Sequence, residues 1–217
     1  MIARLDERLW FPDVQAARGD DLNEGLIAIG GDLSIARLQL AYRSGIFPWS
    51  AKPLTWWSPD PRAIFELDQF HASRSLERTQ RRGHFTLTRN RAFAAVIESC
   101  AARKKTWIAP EFIAAYTALH RAGHAHSVEC WDGQTLVGGV YGVAIGGLFA
   151  GESMFHRQPD ASKLALWHLV QHLRERGFTL FDIQELTPIT RQLGAVDIAR
   201  AEYLRRLARA VELPCEF

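Results

Sequence analysis

Cysteine is scarce in this chain of 217 residues. Its three cysteines, Cys100, Cys130 and Cys215, stand far apart and form no C-x-x-C. That excludes a disulfide framework and suits free thiols in a reducing compartment. Long apolar runs are missing too. The longest uncharged stretch, Gly133 to Gly151, contains Gln134, Thr135, Tyr141 and many glycines, so it reads as strands and turns, not a membrane helix. The opening "MIARLDERLWFPD" has charges throughout and no apolar targeting core, so the expectation is a cytoplasmic protein with no membrane partner. Excess charge of one sign is also lacking: 26 Lys and Arg against 24 Asp and Glu give a net charge of +2. Composition alone therefore does not demand a nucleic-acid partner, and only local clustering can argue for one. Repeats and low-complexity segments are absent.

What is present is the balance of a folded globular protein, 47% apolar and 23% charged. The first sixty residues read as loop-rich. "GGDLSIARLQLAYRSG" holds one helix, with Ser34 to cap it and Gly45 to end it. "IFPWSAKPLTWWSPDPR" follows, with four prolines and three tryptophans, and the prolines argue against regular structure. "AIFELD" after Arg62 reads as a strand entering a second unit. The expected division is thus a small domain over residues 1–62 and a larger one over 63–217. In the larger part, "HFTLTR" reads as a strand, and "AFAAVIESCAA" and "PEFIAAYTALHRAG" as helices. "HSVECW", "TLVGGVYGVAI" and "LFAGESMF" read as strands, the last two joined at Gly146-Gly147. "ASKLALWHLVQHLRERG" is an amphipathic helix, "FTLFDIQ" a strand, and "ARAEYLRRLARAVEL" a closing helix. The expected fold class is mixed α/β, around one sheet flanked by helices.

Three groups of residues invite chemistry. In "FTLFDIQ", alternation places Asp182 and Gln184 on one face near the strand's C-terminal end, where open α/β sheets bind ligands. Glu152 stands in the apolar run "LFAGESMF". Its neighbour Ser153 lacks a G-x-S-x-G setting, since Phe155 occupies the second glycine position, so Ser153 reads as a small strand residue facing away. Phe149 and Met154 fall on opposite faces of an undistorted strand. One pocket can use both only if a bulge or twist intervenes near Gly151. Arg74, Arg78, Arg81 and Arg82 share a helix face, Arg89 and Arg91 follow, and Arg103 to Lys105 add a second patch. From His71 to Arg91 the only acid is Glu77, which points to phosphate binding. His120, His124 and His126 have no carboxylate or cysteine at ligand spacing, so no metal is expected.

Taken in order, "GLIAIGGDLSIARLQLAYRSGIFPW", "WWSPDPR", "TWIAPEF", "GHAHSVECW", "LVGGVYGVA", "GESMFHR", "DASKLAL" and "FDIQ" resemble the leucyl/phenylalanyl-tRNA–protein transferases over nearly the whole chain. The resemblance implies a small N-terminal domain followed by a catalytic domain like the GNAT acetyltransferases. It implies transfer of Leu or Phe, and Met more weakly, from aminoacyl-tRNA to proteins with N-terminal Arg or Lys, marking them for degradation as N-degrons. No cofactor is implied, and a monomer is expected. Asp182 and Gln184 take the catalytic positions, with Asp182 orienting and polarising Gln184. Glu152 takes the acceptor-binding position. Val140, Phe149, Met154, Leu166, Leu169 and Phe181 match the donor side-chain pocket, and Trp49 and Trp107 the tryptophans holding the terminal adenosine. Arg74, Arg78, Arg81 and Arg82 would grip the tRNA body.

One loop departs from the family pattern. In "ELTPITRQLGA", Thr187 and Ile189 stand where Asn and His are common, and Gln192 where Ser is. This bears on substrate preference more than on reaction class. Two other readings remain open. An acyl-CoA-dependent N-acyltransferase is opposed by the glycine-free loop "HRQPDAS", which offers no pyrophosphate cradle. A non-catalytic tRNA-binding module gives no reason for the pairing of Asp182 and Gln184.

Overall fold

The computed structural model describes residues 2–16, 25–104 and 106–217. Lys105 of the second basic patch lies outside them. Two sheets organise the chain. The smaller comprises β1 (Ala3–Leu5), β2 (Leu26–Gly30), β3 (Phe47–Ala51) and β4 (Leu54–Trp57), in the order β1-β2-β4-β3. The proline-rich stretch is therefore not irregular, as its prolines suggested, but forms the β3–β4 hairpin. Pro48 is accommodated because β3 is an edge strand, where a residue without an N–H is tolerated. Helix α1 (Ile35–Arg43) joins β2 to β3. Ser34 caps it by accepting from the Arg37 N–H, and Gly45 follows its end at φ +75°.

The larger sheet has seven strands: β5 (Arg62–Phe65), β6 (Phe85–Arg89), β7 (Ala125–Asp132), β8 (Thr135–Ile145), β9 (Leu148–His156), β10 (Leu180–Gln184) and β11 (Ala195–Ile198). Their order is β11-β5-β10-β9-β8-β7-β6. Strands β9 and β10 are parallel, and the other neighbours are antiparallel. A parallel pair needs a crossover, which here is the long helix α5. The helices are α2 (Arg74–Arg81), α3 (Phe93–Ala101), α4 (Pro110–Arg121), α5 (Ala161–Glu175), α6 (Pro188–Gln192) and α7 (Arg200–Ala210). This is the mixed α/β class expected. The short α6 and β11 were not anticipated.

Three apolar clusters fill the layers. One packs α3 and α4 on the large sheet and continues into the small one, so that Leu38, Tyr42 and Trp56 join Phe112, Tyr116 and Phe155. A second, under α5, holds Val140, Phe149, Leu166, Leu169 and Phe181. The third seats α7 through Tyr203 and Leu207 on Ile64, Leu148 and Leu180.

Candidate active site

The site begins where two paired strands part. Strands β9 and β10 run side by side through Leu180–Leu148, Phe181–Phe149 and Asp182–Ala150, and the pairing stops there. Each strand then carries an extra residue. On β9, Ser153 lies opposite Tyr141 and Gly151 opposite Gly142, so Glu152 is a bulge. On β10, Asp182 lies opposite Ile64 and Gln184 opposite Ala63, so Ile183 is a second bulge. Gln184 itself adopts φ +64°, a left-handed conformation that costs a non-glycine residue roughly 1–3 kcal/mol. A cavity of about 270 Å³ opens between the parted strands. Its lining includes Glu152, Ser153, Met154, Ile183 and Gln184.

The bulge near Gly151 settles the question of faces. Beyond it the alternation resets, so Phe149 and Met154 belong to the same cluster, while Ala150 and Phe155 belong to the opposite one. Ser153 does not face away, as strict alternation predicted. It lines the cavity and accepts a 2.8 Å hydrogen bond from Arg103 Nη2. Among the described residues its hydrogen-bond partner is the cationic Arg103 and not a base, so it acts as a tether.

Glu152 is buried, yet the hydrogen-bond donors it meets among the described residues are neutral. The Gln184 Nε2 donates to its Oε1 at 2.8 Å, and the Tyr116 hydroxyl donates to its Oε2 at 3.1 Å. Tyr116 is bonded in turn to the Tyr42 hydroxyl at 2.5 Å. Burial pushes the Glu152 carboxyl up to about 7; the tyrosine hydroxyls and the Gln184 amide work against this rise, while the negative charge of Asp182 adds to it.

Asp182 is treated differently. It is fully buried and receives four hydrogen bonds. Arg62 grips it at both oxygens, through Nε at 2.8 Å and Nη2 at 2.6 Å. The Tyr203 hydroxyl donates at 2.8 Å, and the Gln184 backbone N–H at 2.9 Å. Arg62 lies against the rings of Phe47 and Tyr203 and also donates to the Gly45 carbonyl. Burial works against the charge on Arg62, but Asp182 more than offsets that and holds its pKa above the ordinary value.

This corrects the expected relation between Asp182 and Gln184. The two side chains do not project together, because the bulge at Ile183 and the φ of Gln184 turn the carboxamide toward Glu152. Asp182 holds the main chain of Gln184, not its amide, so it does not polarise the carboxamide. The donor-pocket set is also divided. Val140, Met154, Leu166 and Phe181 line the cavity. Phe149 and Leu169 do not; they are fully buried behind the wall, where Phe149 meets Phe181 edge-on. Trp49 and Trp107 both line the cavity. So do Thr187 and Thr190 of the altered loop, whose side chains bond each other at the start of α6. Ile189 is exposed.

Sequence reasoning missed Arg62, Tyr42, Tyr116 and Tyr203. Their role depends on contacts between residues far apart in the chain, and no local pattern announces them. Arg74, Arg78 and Arg81 of α2 and Arg82 just past its end are exposed and sit together, while the helix buries Leu76. The histidines have other partners: His120 bonds the Ala125 carbonyl, His124 pairs with Gln39, and His126 with Asn90.

Comparison with known proteins bears on the whole chain. Residues 64–208 match the family model of the leucyl/phenylalanyl-tRNA protein transferase, and residues 31–60 that of its N-terminal domain. A leucyl/phenylalanyl-tRNA–protein transferase of Anaeromyxobacter sp. (strain Fw109-5) is 49% identical over 98% of this chain and 92% of its own. The one from Enterobacter sp. (strain 638) is 51% identical over 95% of this chain and 90% of its own. Among solved structures, that of L-PGS from Bacillus licheniformis is similar with a TM-score of 0.45 and 14% identity, covering 82% of this chain and 70% of its own. A GCN5-related N-acetyltransferase from Kribbella flavida gives 0.43 and 15%, covering 74% and 60%. The matches to the family model and to full-length relatives place this chain in the leucyl/phenylalanyl-tRNA–protein transferase family.

Proposed function

We propose that this aminoacyltransferase moves Leu or Phe, and Met more weakly, from aminoacyl-tRNA to the α-amine of proteins beginning with Arg or Lys. The product then enters degradation as an N-degron. The enzyme acts as a cytoplasmic monomer. No helix among the described residues is long and apolar enough to cross a membrane.

The observation that carries this reading is the two-sided cavity. One side is apolar, with Val140, Met154, Leu166 and Phe181 to receive the donor side chain. The other holds the Glu152–Gln184 pair. At about 270 Å³ it is small among ligand cavities and suits one amino acid with its ester. Such a wall separates Leu, Phe and Met weakly, because one methylene is worth only ~1–3 kcal/mol. Trp49 and Trp107 offer rings for the terminal adenosine, at roughly 1–3 kcal/mol per stacked base.

The reaction needs little acid–base power. The donor ester is already activated, and the attacking amine has an unperturbed pKa near ~8. Because Gln184 Nε2 donates to Glu152, its carbonyl oxygen is the atom of this amide left to accept an N–H of the amine. Gln184 thereby aims the nitrogen lone pair at the ester carbonyl, and positioning supplies the rate. The C–N bond forms, the ester C–O bond breaks, and the amine proton ends on the ribose hydroxyl. Glu152 supplies the negative charge that attracts the basic N-terminal residue. Arg74, Arg78, Arg81 and Arg82 bind tRNA phosphates in a salt-sensitive manner.

Transfer of radiolabelled Leu or Phe from charged tRNA to a peptide beginning with Arg tests this reading. Product should form with Arg- or Lys-led peptides and not with acidic ones. No product from any charged tRNA overturns it.

A further inference from the structure

Arg103 follows α3 and lines the cavity beside Trp107, Glu152 and Ser153. Two of its nitrogens are fixed. Nε donates to the Cys100 carbonyl at 3.0 Å, and Nη2 to Ser153 Oγ at 2.8 Å. Both partners are neutral. Among the described residues no carboxylate lies within ion-pair distance of it, and Nη1 has no partner. The contrast with Arg62, locked to Asp182, is direct.

A cation at a helix C-terminus is favourable, which accounts for the bond to Cys100. It does not account for the bond to Ser153, which draws the guanidinium across to β9, next to Glu152. Arg103 is exposed at the cavity mouth, so water solvates its charge before substrate binds, and the two bonds aim the guanidinium where that water can give way to an anion of the substrate. The acceptor cannot supply it, because its N-terminal residue is basic and Arg103 repels it. The donor can. The anionic groups of its nucleic-acid part are phosphates, and the nearest to the reacting ester is the 5′-phosphate of the terminal adenosine, one ribose away. A guanidinium fork matches that group in shape and charge.

We propose that Arg103 is a phosphate subsite: it binds the phosphodiester joining the donor's terminal adenosine to the preceding nucleotide, and so fixes the ester over Gln184. This rests on the donor being aminoacyl-tRNA. The arginines of α2 then hold the tRNA body, while Arg103 sets the last nucleotide. Ser153 is the tether that keeps the guanidinium in place.

The test uses a donor analogue that cannot react, 3′-leucylamino-3′-deoxyadenosine, with and without a 5′-phosphate. Calorimetry on the full chain at fixed low salt gives both dissociation constants. The phosphate should tighten binding to the wild type about tenfold, the scale of one charge-assisted hydrogen bond. Arg103→Gln should remove that advantage and leave the unphosphorylated analogue unaffected. Ser153→Ala should reduce the advantage without abolishing it. Equal binding of the two analogues to the wild type overturns the subsite while leaving the aminoacyl-transfer reading intact. So does an advantage that survives in Arg103→Gln, even if that variant melts earlier, because Arg103 then serves only as a helix cap. Inorganic phosphate that binds as tightly as the nucleotide makes this a free-anion site and also overturns the proposal. Failure of both analogues to bind removes the subsite together with the adenosine reading, and the peptide-transfer assay shows separately whether the function falls with it.

Discussion

Two buried carboxylates stand near each other on neighbouring strands, and the protein treats them in opposite ways. Asp182 has a guanidinium on both oxygens, a phenol and a backbone N–H, so its charge is matched and its acceptor sites are filled. Glu152 has the Gln184 amide and the Tyr116 phenol with Tyr42 behind it, no ion pair among the described residues, and an opening onto the cavity. Both lie out of water, but of the two Asp182 is the one with an ion pair among the described residues. The difference separates scaffold from site. Asp182 fixes the backbone of Gln184 in its unusual conformation. Glu152 is left without an ion-pair partner among the described residues, which is the basis for proposing that the acceptor brings one.

The largest expected effect breaks the scaffold side. Arg62→Met leaves Asp182 buried without its cation, at a cost of about 3–5 kcal/mol. Urea unfolding should show a large fall in midpoint, and an unchanged midpoint would mean that the pair is not structural. Next comes Glu152→Gln, which should raise the KM for an Arg-led peptide by about 10- to 100-fold, the worth of a hydrogen bond between charged groups. The KM for charged tRNA should stay the same. A loss shared equally by both substrates would remove Glu152 from acceptor binding.

The pH dependence follows from the carboxyl that burial holds near about 7. Its unfolded value is lower, near ~4.3, so between the two the folded protein binds the extra proton. The stability that this proton confers is present below the lower value and is lost as pH rises through about 7. Glu152→Gln should therefore melt a few degrees higher than the wild type at pH 8 and lose that difference at pH 4. The proposed role of Glu152 in binding an Arg-led peptide requires the ionised form, so affinity should weaken as pH falls below about 7 in the wild type and not in the variant. A wild-type affinity independent of pH from 5 to 8 would contradict the assignment.

The smallest effect sharpens the comparison, because the same atom is removed from each carboxylate. Tyr203→Phe takes one donor of four from Asp182 and should cost about 1 kcal/mol of stability with little change in acceptor affinity. Tyr116→Phe takes from Glu152 the hydroxyl that donates to its Oε2. It should move the pH midpoint for peptide binding upward while changing stability less. Identical consequences for both variants would erase the distinction between the two sites.

Much of this arrangement was legible in the sequence, and the limits are instructive. Elements with strong period and clear punctuation, such as α5 and the β8–β9 hairpin, could be read directly. Tension between Phe149 and Met154 in one strand even pointed to a bulge, which the structure has at Glu152. The second bulge, at Ile183, left no such trace, because "FDIQ" alternates well as written. Arg62 was visible only as the residue before a strand. Its partner is 120 positions away, and local pattern carries no information about that pairing. Proline misled in the opposite direction: it argues against central strands, while Pro48 sits on an edge. Phe149 and Leu169 show a further limit, since residues of the right kind on the right face can still stand one layer behind the wall.

The bulge at Glu152 places two requirements in conflict at a single position. The sheet would be more regular without this residue, since the ladder between β8 and β9 would then close without interruption. The same deletion would return Met154 to the opposite face and remove the charge from the cavity. A search for hardier versions of this enzyme would thus find a tempting repair at the residue proposed here to hold the acceptor.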